Sequence, residues 1–434
     1  MRATLSDLPL LRNIPDHPRW LYLDLNSYFA SVEQHLQPRL RGRPVAVVPI
    51  RDTDTTCAIA ASYEAKALGI RTGTMIYEAR KICPSLQIVP ARHDRYVDYH
   101  HRILDEINRH LPITRVCSID EVACRLPPTV QAPEAALTLA RNIKRGIHDN
   151  VGESLKSSIG IGPNRLLAKI ASNLQKPDGL TLLTKRDLPE KILHLSLRDL
   201  PGIGRNMERR LHRAGITNLQ GLWDIAPKQA RKIWGSVEGE RFWYALHGVD
   251  LGEEMETTRR SVGHSHVLEP AMRPPERARL VARRLTTKAA SRLRREGYYA
   301  GALSLYARYE GAGRWRSDLK FPAAQDNFTF LKALNKLWAE MIRQDRPKRL
   351  KHVAVSLFGL TPEQEIMPDL FDRLHDPLHT KQQRHIRLSQ AMDKVNAKYG
   401  LDTVVLGSLP QPLARFTGTK IAFTRIPERE EFHE

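Results

Sequence analysis

Arg19-Trp20-Leu21-Tyr22-Leu23-Asp24-Leu25-Asn26-Ser27-Tyr28-Phe29-Ala30-Ser31-Val32 passes directly from an apolar run into a helical pattern. The run predicts a buried strand, and Asn26-Ser27 are good N-cap residues for a helix from Tyr28 to Gln34. Asp24 therefore stands where a strand hands over to a helix start. Unpaired backbone N–H groups around Tyr28 and Phe29 make such a start a seat for phosphate oxygens, and a metal ion on Asp24 would bridge to that phosphate. Standing alone, Asp24 reads as a turn cap.

Outward from this stretch, residues 19 to 184 alternate apolar runs with helical patterns, the signature of a sheet covered by helices. Further strands are expected at Pro44 to Val48, Thr114 to Ile119 and Ser157 to Ile161, and short helices at Ala61 to Leu68 and Thr74 to Cys83. From about 186 to 250 the strand signal vanishes, and Pro201-Gly202-Ile203-Gly204, Gly215 and Gly235 punctuate helices. Residues 251 to 260 are polar and aperiodic, as a linker would be. The order that follows is βαββαβ: strands at Ser261 to Leu268, Ala302 to Tyr309, Trp315 to Phe321 and Lys351 to Phe358, with helices at Pro275 to Glu296 and Asn327 to Ile342. Beyond about 360 the expectation is a loosely attached tail with one helical stretch near Ser389 to Tyr399.

A second acidic element is Val116-Cys117-Ser118-Ile119-Asp120-Glu121-Val122-Ala123-Cys124, which reads as two strands joined at an acidic tip. Adjacent acids near a third carboxylate need cations to stay ionised, and magnesium prefers oxygen ligands with phosphate completing its shell. Taken singly, the pair also reads as an exposed turn. Tyr63 and Lys66 lie three apart on one helix face, where phenol and ammonium would grip phosphate oxygens. A Gly/Pro turn at 160–163 opens a helix carrying Lys169, a point charge suited to a triphosphate, though each lysine alone also reads as surface decoration.

Lys and Arg number 68 against 48 Asp and Glu, a formal +20, which draws a polyanion and makes nucleic acid the default partner. Aromatics at 6% argue against base stacking along a single strand and for backbone contact to a duplex. The helix at 275–296 concentrates this charge in Arg283, Arg284 and Arg292 among others, opposed mainly by Glu276 and Glu296, and is expected to touch phosphates. No apolar stretch approaches a membrane span and the N-terminus lacks a secretion signal, so a cytoplasmic, nucleoid-associated protein is expected. Cys57, Cys83, Cys117 and Cys124 show no metal or disulfide spacing and read as reduced thiols.

In order along the chain, LDLNSYFASVE (23–33), SYEAKALGIRTG (62–73), SIDE (118–121), GIGPNRLLAKIASNLQKPDG (160–179) and LPGIG (200–204) resemble the landmarks of the Y-family translesion DNA polymerases. The resemblance spans residues 19 to about 358. It implies a multidomain α+β right-hand polymerase: an N-terminal extension (1–18), a palm (19–185) with small fingers inserted at about 28–91, and a helical thumb (186–250). A linker (251–260), a βαββαβ little-finger domain (261–358) and a C-terminal tail (359–434) complete it. Asp24, Asp120 and Glu121 fall on the family's catalytic, metal-binding acids for two Mg2+ ions, with the Leu25 carbonyl completing one shell. Phe29 falls on the steric gate, and Tyr28, Phe29, Tyr63, Lys66 and Lys169 on nucleotide contacts. Lys66 stands where many relatives carry Arg, so its grip is not bidentate. Gly202, Ile203 and Gly204 resemble a helix-hairpin-helix turn whose backbone N–H groups meet duplex phosphates.

After Asp120-Glu121 the family usually continues Ala-Tyr-Leu-Asp, whereas this chain has Val122-Ala123-Cys124-Arg125. Leu370 and Phe371, in Met367-Pro368-Asp369-Leu370-Phe371, resemble a sliding-clamp-binding peptide with Met in place of the usual Gln. The expected activity is low-fidelity, template-directed DNA synthesis past damaged bases by a monomer, from deoxynucleoside triphosphates onto primer-template DNA. The alternative is a catalytically silent relative that binds DNA within a damage-response polymerase complex.

Overall fold

The computed structural model describes residues 9–12, 14–49, 56–252, 260–366, 377–400, 403–407, 421, 426 and 427. The chain forms two compact units, residues 1–253 with 419–429, and residues 254–418 with 430–434.

The first unit opens with one helical turn, α1 (Pro9–Arg12), then runs β1 (Trp20–Leu25), α2 (Tyr28–Leu36), β2 (Val45–Val48), β3 (Ala60–Ala61), α3 (Tyr63–Ala67), α4 (Ile76–Ile82) and β4 (Gln87–Pro90). Next come α5 (His93–His110), β5 (Arg115–Val116), β6 (Glu121–Arg125), α6 (Pro133–Gly146), β7 (Ser157–Gly162), α7 (Arg165–Leu174) and β8 (Leu180–Leu182). Four short helices, α8 (Arg205–Arg213), α9 (Leu219–Asp224), α10 (Pro227–Trp234) and α11 (Val237–Leu246), complete it.

The main sheet has the order β5-β6-β1-β7-β8, so β1 lies at its centre with antiparallel partners on both sides. All six β1 residues are buried, as its unbroken apolar run requires. The strand expected over Thr114 to Ile119 shrinks to Arg115–Val116, because Ser118 to Glu121 close a tight turn with Cys117 and Ser118 N–H groups donating to the Glu121 carbonyl. A smaller sheet, β3-β2-β4, packs α3 and α4 around Ala46, Val48, Ala65, Ile70 and Ile76. In the helical stretch, Leu200, Ile203, Leu211, Leu219, Leu222 and Leu246 share one core with Leu167 and Ile170 of α7.

The second unit is β9 (Ser261–Val267), α12 (Pro275–Arg295), β10 (Tyr298–Tyr309), β11 (Arg314–Ala324), α13 (Asn327–Asp345), β12 (Leu350–Pro362) and α14 (Pro377–Tyr399). Its antiparallel sheet has the order β11-β10-β12-β9. Leu303, Leu305, Trp315, Val353, Val355 and Leu357 form one core with Ala282, Ala289, Phe330 and Leu334 from the two helices. The expected βαββαβ order holds.

Beyond residue 360 the expectation of a loosely attached tail is corrected. β12 runs on to Pro362, and α14 is a helix of 23 residues joined to α12 and α13. Arg294 donates to both carboxylate oxygens of Asp393 at 2.6 and 2.8 Å, the Asn327 N–H donates to the buried Ser389 hydroxyl at 3.1 Å, and His385 stacks on Phe328. Polar, His-rich composition concealed this because Asp393, Ser389 and His385 make their attachments through polar side chains. Leu370 and Phe371 lie outside the described residues. Among those described, all four cysteines are free and no helix is long and apolar enough to cross a membrane.

Candidate active site

Register brings the acids together. Asp24 on β1 pairs directly with Glu121 on β6, so both side chains leave the same sheet face on neighbouring strands. Asp120 precedes β6 in the hairpin turn, and its carbonyl accepts the Leu25 N–H at 2.8 Å, fixing the turn against the end of β1. His100 of α5 holds the same turn through its Nδ1 and the Ile119 carbonyl, 2.8 Å apart. Burial pushes the His100 pKa down to about 4, so the ring is neutral near pH 7 and its Nδ1–H is the donor.

The opposing charge comes from α7. Asn164 caps this helix by accepting from the Leu167 N–H at 2.9 Å, and its amide donates to the Ala245 and Val249 carbonyls. A Cβ on Gly160 of β7 would sit 2.0 Å from the Ala168 carbonyl oxygen, so only glycine lets α7 lie this close to the sheet. The consequence is that Lys169 reaches the acids, its Nζ donating to Asp24 Oδ2 at 2.6 Å and to Glu121 Oε1. Lys176 takes the other Asp24 oxygen at 2.6 Å. One ammonium thus already binds Asp24 and Glu121 simultaneously.

The electrostatics follow. Burial disfavours the Asp24 carboxylate, but Lys169 and Lys176 outweigh it and hold the pKa below the usual carboxylate value. Burial likewise works against the Lys169 ammonium, and the two carboxylates raise its pKa nonetheless. Asp120 lacks such a partner: burial, reinforced by Asp24 and Glu121, raises its pKa against the lowering effect of the Ser118 hydroxyl, 2.5 Å from Oδ1.

Among the described residues no group of three or more His, Cys, Asp or Glu side chains is set to hold a metal ion, the acids being engaged by lysines and Ser118. The donor set nevertheless fits a divalent cation. It is all oxygen, it crowds three acids, and Asp24 and Glu121 already share a cation.

The residues expected to contact nucleotide lie around this cluster. Tyr63 and Lys66 share a face of α3, the Lys66 ammonium 4.5 Å from the Tyr63 ring centroid and donating to the Ser27 hydroxyl at 2.7 Å. Burial and the charge of Asp24 push the Tyr63 pKa up to about 12. Ser27 makes no side-chain cap for α2; its backbone is left-handed at φ 50° and its hydroxyl is committed to Lys66. The Tyr28 ring is buried and its hydroxyl donates to the Tyr96 carbonyl at 2.6 Å, consistent with an expected contact through the backbone N–H. Only its backbone N–H stays a candidate. Phe29 stacks on Tyr96 with centroids 4.2 Å apart and meets His93 edge-on. Beneath them Glu33, fully buried, accepts from the Tyr96 hydroxyl at 2.8 Å and from Arg92 at 3.0 and 2.5 Å.

The arginines expected to meet DNA are engaged within the second unit. Arg284 is buried in α12, and the Arg283 guanidinium donates to the Leu406 carbonyl at 3.0 Å. Arg292 is 13% exposed and donates to Glu296 at 3.0 Å. Packing of α12 on the sheet and on α14 turns much of its charge inward. The opposite sheet face instead presents exposed Arg308, Arg314, Arg316 and Lys320 beside small Ser304, Ala354 and Ser356. Their alternation with Trp315, Ser317 and Leu319 was the signal for this face. In the Pro201-Gly202-Ile203-Gly204 turn, Gly202 has φ +91°, Ile203 is buried and its N–H is committed to the Leu200 carbonyl, and Gly204 precedes α8. Tyr22, which strand register brings to Glu121, and Lys176, which the turn after α7 brings to Asp24, are placed by tertiary structure and had no local sequence signal.

Comparison with known proteins gives concordant results. Residues 23–173 match the impB/mucB/samB family, residues 259–370 its C-terminal domain, and residues 198–250 the DNA polymerase-iota thumb domain. DNA polymerase IV of Moorella thermoacetica is 34% identical, covering 88% of this chain and 93% of that protein. DNA polymerase IV 1 of Bacillus subtilis is 28% identical over 89% and 92%. Among solved structures, a Y-family DNA polymerase chimera of Dbh and Dpo4 superposes with a TM-score of 0.68 at 25% identity, covering 79% of this chain and 99% of the chimera. An insertion ternary complex of Dbh DNA polymerase gives 0.53 at 26% identity, covering 78% and 98%. With acids, lysines and fold in agreement with these likenesses, the chain belongs to the Y-family of translesion DNA polymerases and is a DNA-directed DNA polymerase.

Proposed function

We propose that this chain copies primer-template DNA past damaged bases with low fidelity, by a two-metal nucleotidyl transfer centred on Asp24, Asp120 and Glu121. The observation that carries the reading is the single Lys169 ammonium bonded to both Asp24 and Glu121, two acids that are distant in sequence and adjacent in register. The family depends on divalent metal ions, and here the Leu25 carbonyl joins the three carboxylates as the proposed ligand set for two Mg2+. Bound there, the ions would supply the charge that activates a primer 3′-hydroxyl and neutralises departing pyrophosphate.

The chain's own residues supply positioning. Lys169 and Lys176 hold Asp24 ionised, Lys169 also bridges to Glu121, and both ammonium groups are offered as charge for a triphosphate. Tyr63 and Lys66 present a phenol and an ammonium to the same space, and the backbone N–H groups at the start of α2 add donors. Phe29, backed by Tyr96, is the proposed sugar gate. For DNA we assign backbone phosphate contact to the Arg308, Arg314, Arg316 and Lys320 face, and to the Gly202 and Gly204 turn. The two-unit layout is read as palm with small fingers, thumb, little finger and tail, acting as a monomer in the cytoplasm. The sliding clamp stays a proposed partner through Leu370 and Phe371. A silent DNA-binding relative is not favoured, because all three acids are present and clustered.

Primer extension with Mg2+ tests the reading. Asp120→Ala should lower single-nucleotide addition at least about 100-fold while leaving DNA affinity intact. Wild-type protein inert on undamaged and lesion-bearing templates alike would contradict it.

A further inference from the structure

Tyr22 reads in the sequence only as a strand residue, yet it lies at the centre of the charged cluster. On β1 it pairs with Ala123 of β6 on one side and Gly160 of β7 on the other, both small enough to leave room for its ring. The side chain lies on the face that carries Asp24 and Glu121, among Trp20, Ala123 and Ala168. Its hydroxyl donates to Glu121 Oε2 at 2.9 Å, and the Lys169 ammonium stands 4.8 Å from its ring centroid. The two oxygens of Glu121 therefore have different partners, a neutral phenol on Oε2 and an ammonium on Oε1.

We propose that Tyr22 is a positioning residue of the active site: its hydroxyl fixes Glu121 so that Oε1, and not Oε2, is offered to a cation, while its ring steers Lys169 between the acids. The inference rests on the proposed metal role of Glu121. A neutral donor does not compete with the incoming cation for charge, so it keeps its hold on Oε2 when Lys169 yields Oε1. Cross-strand pairing adds a second point. At 123, directly opposite Tyr22 on β6, the small Ala side chain leaves the space that the Tyr22 ring occupies.

The test uses the full-length protein bound to primer-template DNA and two readouts. Mn2+ binding is followed by electron paramagnetic resonance of the free ion, without turnover, and single-nucleotide kcat and KM are measured separately. Tyr22→Phe, which keeps the ring, should weaken Mn2+ binding about 10-fold and lower kcat similarly. The KM for the nucleotide should stay within about twofold. Tyr22→Phe with wild-type Mn2+ affinity and kcat, alongside a Glu121→Gln protein that has lost both, overturns the role of Tyr22 alone. A Glu121→Gln protein that keeps Mn2+ binding and synthesis overturns the underlying site as well.

Discussion

Phe29 shows how a single side chain acquires a specific task. It sits in the first turn of α2, half-buried, its ring held at 12° to the Tyr96 plane by a stack that Glu33 and Arg92 anchor from below. A ring fixed in this way does not easily swing aside for a larger sugar, and the proposed discrimination against a 2′-hydroxyl rests on that rigidity. Phe29→Ala should admit ribonucleotides, raising their kcat/KM relative to deoxynucleotides at least about 10-fold, read from paired single-nucleotide insertion assays. Unchanged sugar selection would remove the assignment. The acids were candidates because each follows a local pattern, a strand end or an acidic tip, but only the ordered motifs resembling the family gave them and Phe29 their roles. Tyr22 and Lys176 were not, since strand pairing brings Tyr22 to Glu121, and the turn that follows α7 brings Lys176 to Asp24, from far apart in sequence.

Elements were legible where periodicity was strong, as in α12, α13 and the strands between them, and illegible where polar contacts replace apolar packing. α14 is the clearest case. Its attachment runs through Asp393, Ser389 and His385, so composition gave no sign of it. Arg294 is 5% exposed and is compensated by its bidentate bond to Asp393 together with hydrogen bonds to the Gln325 carbonyl and the Asn327 amide oxygen. Asp393→Ala should cost about 2 kcal/mol in denaturant unfolding, because it removes the counter-charge and two acceptors of a buried guanidinium that keeps only Gln325 and Asn327. A change near zero would show that the helix is not held there. The same packing explains why Arg284 and Arg292, chosen as phosphate contacts from charge alone, are turned into the fold.

At the scale of the molecule, a net charge of +20 has to be distributed, and counting charges along the chain did not reveal where it faces outward. The sheet of the second unit does, with Arg308, Arg314, Arg316 and Lys320 exposed on β10 and β11. Removing one such phosphate contact, as in Arg316→Ala, should reduce the slope of log affinity against log salt by about 1 and weaken binding equally for all sequences. An unaltered salt slope would assign DNA contact elsewhere. Charge on this face is the proposed draw for a duplex, but the central claim concerns three acids, Asp24 and Glu121 on neighbouring strands and Asp120 in the turn before β6. Single-turnover addition of one templated deoxynucleotide by Asp24→Asn, Asp120→Asn and Glu121→Gln, each at saturating DNA and Mg2+, tests that claim most directly. Each substitution should slow addition at least about 100-fold with primer-template affinity unchanged; any one of the three adding nucleotide at the wild-type rate would contradict the account.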